Sequence, residues 1–116
     1  MSVSNYGEAL LLAAVPNSPY VKLHKGDPGE DGLLNAATET VRKQATLAAA
    51  SGGARKSSTA AEWTGLAAKE TVTHWSLWDA ASGGNCLWTG SFSEEEPLDL
   101  GGAFTLKSGD LEISLD

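Results

Sequence analysis

The fold is decided by residues 70–92, ETVTHWSLWDAASGGNCLWTGSF. Their first arm, residues 71–78, gathers β-branched and aromatic side chains (Thr71, Val72, Thr73, Trp75, Trp78) without proline or glycine. Such residues suit a pleated, half-buried surface, so the arm reads as a strand. Residues 79–85 then bring turn chemistry, because Gly83, Gly84 and Asn85 tolerate the positive φ of a chain reversal. Residues 86–92 turn apolar again, so the two arms pair as an antiparallel hairpin. Three of the four tryptophans, Trp75, Trp78 and Trp88, sit on these arms. Side chains this wide supply much of a small domain's buried area, and the hairpin is expected to form the core.

The two faces of the first arm are both heavily built. Trp75 and Leu77 share one face, and Val72, His74 and Trp78 share the other. A strand apolar on both sides lies between two layers, and here a neighbouring chain is expected to supply the second.

Outward from the hairpin, period-two alternation recurs. Val21 and Leu23 alternate with Lys22 and His24 over residues 20–24. Phe104 and Leu106 alternate with Thr105 and Lys107, and Leu111, Ile113 and Leu115 with Glu112, Ser114 and Asp116. Residues 38–48 (TETVRKQATLA) read as a further strand, and residues 55–70 as one or two short strands with 61–64 the best placed. Residues 26–32 (GDPGEDG) are the clearest loop, residues 93–96 read as a charged turn, and Pro97 belongs at a strand edge or start. Before all of these, Val3, Tyr6, Leu10, Ala13 and Ala14 fall at helical spacing, with Ser4 or Asn5 as cap and Pro16 and Pro19 as terminators. The expected architecture is one domain over residues 1–116: a mainly β, antiparallel β-sandwich or jelly-roll-like fold of six to eight strands, with one short N-terminal helix or arm over residues 1–19.

Composition narrows the function. With 116 residues and a net charge of −7, the chain is long enough for one ordinary core. From Glu94 onward seven acids face Lys107 alone, a net of −6, and residues 1–93 carry the remaining −1. Nucleic-acid binding needs the opposite sign and is not expected. No apolar run approaches the roughly 18–20 residues of a membrane helix, and no secretory signal is expected at the N-terminus. The single cysteine, Cys86, forms no internal disulfide and is read as an inert buried thiol in a protein made in a reducing cytosol.

Chemistry is hard to assemble from these residues. His24 and His74 are the only histidines, and no nucleophile-elbow, His-Glu-x-x-His or phosphate-loop pattern occurs. His74, between Thr73 and Trp75, reads as a hydrogen-bonded structural histidine. Asp27, Glu30 and Asp31 hint at a calcium loop, but Thr38 stands at the twelfth position where a bidentate glutamate is needed. No enzyme activity, cofactor or metal is expected. Exposed tryptophans could stack on sugars and make a carbohydrate-binding module; filling a core or an interface is the better reading of them.

At this point the motifs take on a resemblance. Residues 20–29, YVKLHKGDPG, resemble the LHT-x-DPG segment of a family of small tailed-bacteriophage virion proteins, identified as minor tail or tail-fibre proteins. The likeness continues through Arg42-Lys43-Gln44-Ala45-Thr46, residues 73–80 (THWSLWDA), residues 83–88 (GGNCLW) and the terminal AFTL and GDLEISL segments. Lys25 departs from the family's usual threonine, and Lys43 stands where arginine is common. The chain also resembles the small jelly-roll cement proteins on the outside of some phage heads.

The resemblance implies a non-enzymatic virion structural protein, made in the host cytoplasm and located in the virion. It implies a capsid decoration (cement) protein first, and a minor tail or tail-fibre attachment protein as the alternative. Its partners would be a major capsid protein or a tail protein, and copies of itself as a dimer or trimer. The contacts expected are Val3, Tyr6 and Leu10 in the N-terminal segment, then Leu23, His24, Lys25, Asp27 and Pro28 in and before the loop. His74 and Trp78 join them on the second face of the strand.

Overall fold

A computed structural model describes residues 3–115. Among the described residues the chain forms helix α1 (Asn5–Ala13) and eight strands: β1 (Tyr20–His24), β2 (Lys43–Gln44), β3 (Ala54–Lys56), β4 (Ala61–Thr64), β5 (Glu70–Trp78), β6 (Cys86–Leu98), β7 (Ala103–Leu106) and β8 (Glu112–Ser114). The fold is mainly β and antiparallel throughout, with one short N-terminal helix, as expected. One sheet has four strands in the order β2-β1-β5-β6, and the others are the two-stranded ladders β3-β8 and β4-β7.

β5 is the centre of this arrangement because it is paired on both edges, to β1 from Tyr20↔Trp78 to His24↔His74 and to β6 along its whole length. Its registers put Val21, Leu23, Trp75 and Leu77 on one face, all buried. They meet Trp63 and Ala61 of β4, Leu106 of β7 and Ile113 of β8 in one continuous cluster. The turn between β5 and β6 follows from its chemistry. Asp79 Oδ1 accepts the Asn85 N–H at 2.8 Å, the Asp79 N–H donates to Asn85 O, and Gly83 and Gly84 take φ of 62° and 72°.

Four expectations change. Residues 38–48 form only the two-residue strand β2, because their backbone groups are taken by partners off the ladder. The Glu70 carboxylate accepts from the Thr38 and Glu39 N–H groups, Thr59 Oγ1 accepts from the Thr46 N–H, and Val41 O accepts the Trp63 indole N–H. Residues 93–96 are no turn. They continue β6 as a wide bulge, in which residues 92–95 stand opposite Thr73 alone, between the pairs His74↔Ser91 and Val72↔Glu96. The hairpin is also only half core, since β6 is an edge strand with a mostly exposed or half-buried pattern.

The fourth change concerns the second face of β5. No neighbouring chain is needed to cover it: residues 25–37 fold back over β1 and β5, leaving His24, Ser76 and Trp78 buried within one chain. Gly32 makes this closeness possible. It sits at φ 72°, and a Cβ there would stand 2.7 Å from Cys86 Sγ and 3.0 Å from the Trp78 ring.

Candidate interaction surfaces

The apolar stripe of α1 points away from the core. Ser4 caps the helix by accepting the Gly7 N–H at 3.0 Å, and Leu12 is its one buried residue, with Val15 just beyond. Tyr6, Leu10 and Leu11 are 76%, 56% and 53% exposed, and Val3 stands beside them at the surface. Amphipathic helices normally turn such a stripe inward. Here the orientation is fixed from the other side, by Arg55.

Arg55 is buried, with no carboxylate among its hydrogen-bond partners. Its Nη1 donates to Leu12 O (2.9 Å) and Val15 O (2.8 Å) at the end of α1, its Nε to Ala48 O (2.8 Å), and its Nη2 to Asn17 Oδ1 (2.8 Å) and Leu47 O (3.4 Å). A cation against the last carbonyls of a helix completes its orphan acceptors and complements its dipole. Nothing in the hydrophobic periodicity marks this residue.

The loop over residues 25–37 is tied to the sheet by a buried polar chain. His24 Nδ1 lies 2.9 Å from Leu34 O, and a carbonyl can only accept, so Nδ1 carries the proton. The Trp78 indole N–H donates to Ser76 Oγ at 2.7 Å, and the Ser76 hydroxyl in turn donates to His24 Nε2 at 2.7 Å. Each group is satisfied with His24 neutral, and burial accordingly lowers its pKa from 6.5. Over the outer side of Trp78, the Arg42 guanidinium stacks 4.0 Å from the ring centroid and donates to Ala80 O and Gly83 O.

The residues expected as contacts therefore divide. Val3, Tyr6, Leu10, Lys25 and Asp27 are exposed and His74 is half-buried, whereas Leu23, His24, Pro28 and Trp78 are buried inside the chain. The period-two pattern placed the last four on strand and loop correctly, but the fold of residues 25–37 over them was not visible in it. The same loop adds Leu33 and Leu34, 63% and 59% exposed, to the surface near Lys25 and Asp27.

Chemistry finds little support in the geometry. Asp27 Oδ1 accepts the Gly29 N–H and Asp31 Oδ1 the Leu33 N–H, so these carboxylates close turns and do not converge. Among the described residues no group of three or more His, Cys, Asp and Glu is placed to hold a metal ion. Burial raises the pKa of the Cys86 thiol. Trp63, Trp75 and Trp78 are buried and Trp88 is half-buried, so the coplanar exposed platform that sugar stacking needs is not formed. No helix among the described residues is long and apolar enough to cross a membrane.

A family model described as "Podophage GP4 fiber I protein gp80" matches residues 3–114. The chain belongs to this family. It is thus a phage structural protein, as the resemblance to virion proteins implied, and the match spans every element from α1 to β8. The podophage fibre family is a broader attribution than the LHT-x-DPG group and does not single that group out. No curated protein matches the chain.

Proposed function

We propose that the chain is a non-enzymatic structural part of the phage fibre or of its attachment to the particle, holding a neighbouring virion protein through the outward face of α1. The observation that carries this reading is the stripe of Tyr6, Leu10 and Leu11, exposed on a helix that Arg55 clamps at its C-terminal end, with Val3 exposed just before its cap. Contiguous apolar residues held rigidly at a surface mark a docking face. Lys25, Asp27, Leu33 and Leu34 form a second candidate contact. The family's printed description, a fibre protein, favours this reading over capsid decoration. Decoration of the head by binding the major capsid protein is retained as a second reading, favoured because the described residues form no coiled-coil or fibrous extension. Either role works by mass action: a protein that binds only the assembled lattice stabilises it in proportion to occupancy. Self-association as a dimer or trimer belongs to the same proposal.

The test replaces the stripe without disturbing the fold. A Tyr6→Gln/Leu10→Gln variant keeps good helix formers at both positions, so its melting temperature should match the parent. Its incorporation into particles, in a complementation assay with the chromosomal or phage copy silenced, should fall at least tenfold. Undiminished incorporation would remove α1 from the docking surface.

A further inference from the structure

β6 ends the four-stranded sheet, and no backbone hydrogen bond among the described residues joins its outer edge to another element. It is 13 residues long, against about 5–6 for a usual strand. Natural sheets keep their edges short, or blunt them with charge, proline or bulges. The charge and the proline lie at one end of β6, where the bulge at residues 92–95 is joined by Glu94, Glu95, Glu96 and Pro97; a second register shift leaves Leu87 without a partner on β5. The other half, residues 86–92 (CLWTGSF), has no charge and no proline, and residues 88–91 run in regular register with β5.

We infer that this uncharged half pairs with the same half of a second copy, antiparallel about a two-fold axis through Thr89, joining two sheets into one. Such a contact is isologous and closes on itself. The occupant is argued from charge and shape. Parallel, in-register pairing would lay Glu94, Glu95 and Glu96 on their own images, and like charges directly opposite are unfavourable. Antiparallel pairing about Thr89 instead sets Trp88 opposite Gly90 within the regular stretch 88–91, so the one wide side chain there faces a residue without a side chain. It also carries each acidic triplet past the other copy's β5–β6 turn, where Arg42 is held by Ala80 O and Gly83 O. The ionised carboxylate in that turn, Asp79, is turned to the Asn85 N–H groups, and Lys22 stands with Arg42 against the adjoining Trp78 ring.

The inference deepens the proposed assembling role and takes from it only the need for a second copy. Cross-linking of purified protein and localisation in particles can each fail without the other, so the two are separable. The single native cysteine makes the test direct. A Cys86→Ser/Thr89→Cys variant should form a disulfide-linked dimer under mild oxidation, whereas a Cys86→Ser/Ser108→Cys control, at an exposed site off the edge, should not. Ser91→Lys, an exposed position on the edge, should weaken the dimer at least tenfold in sedimentation equilibrium with an unchanged circular dichroism spectrum. Raising the salt concentration should weaken the parent dimer too. A parent chain that stays monomeric at its highest soluble concentration overturns the inference, as does a dimer that neither links through position 89 nor responds to Ser91→Lys.

Discussion

Two buried polar residues carry more of this fold than their number suggests, and each yields a prediction. Arg55 directs its donors to backbone carbonyls and Asn17. Removing it leaves several buried acceptors unpaired, each costing on the order of 1–3 kcal/mol less whatever water re-enters. Arg55→Met should therefore destabilise the protein by about 3 kcal/mol in urea denaturation and release α1, visible as faster amide exchange over residues 5–15. Arg55→Lys should recover less than half of the loss, since one ammonium cannot reproduce the planar fork. The second residue is His24, whose pKa burial holds below 6.5. The folded state then binds fewer protons than the unfolded one as pH falls below 6.5. This contribution to stability is full above that value and is lost towards the folded-state pKa, with a slope of at most about 1.4 kcal/mol per pH unit. Between pH 7.5 and 5 the unfolding free energy should decline, and His24→Gln should flatten that decline while lowering stability at neutral pH. An equal slope in both proteins would show that His24 titrates normally.

Among the elements, the loop over residues 25–37 decides what β5 is for. Trp78 and His24 lie on a face that period-two reading assigned to a partner chain, and the loop gives that face to the chain itself. Gly32→Ala would place a Cβ against Cys86 and Trp78 at a φ of 72°, at a cost of about 2 kcal/mol from crowding and backbone strain. Its tryptophan emission should shift to the red as Trp78 gains water; an unshifted spectrum with parent-like stability would show that the loop has slack. Strand existence was legible where alternation met turn formers, at β1, β5 and the β7–β8 segment. The extent of β2 was not, because Glu70, Thr59 and Trp63 compete for its backbone from distant positions. The acidic stretch after Phe92 read as a turn, and it is instead a bulge through which β6 continues. The helical spacing of Val3, Tyr6 and Leu10 was equally legible, but spacing alone does not say whether a stripe faces the core; that was set by Leu12, Val15 and Arg55.

For the whole molecule, the account is of a brick with finished interior and unfinished surface. No buried side-chain polar atom among the described residues lacks a hydrogen-bond partner, and His24, Asp27, Asp31, Glu70 and Asp79 are engaged in turns or in anchoring loops. What remains unsatisfied faces outward: the α1 stripe, Leu33 and Leu34, and the β6 edge. Membership of a podophage fibre family gives these surfaces a setting in the virion. Electron cryomicroscopy of purified particles, with the chain located by its 44 × 26 × 25 Å outline, tests this most directly. The account predicts density for the chain within the fibre or at its attachment point, with α1 against a neighbouring protein. Particles that lack the chain altogether, or hold it with α1 exposed to solvent, would contradict it.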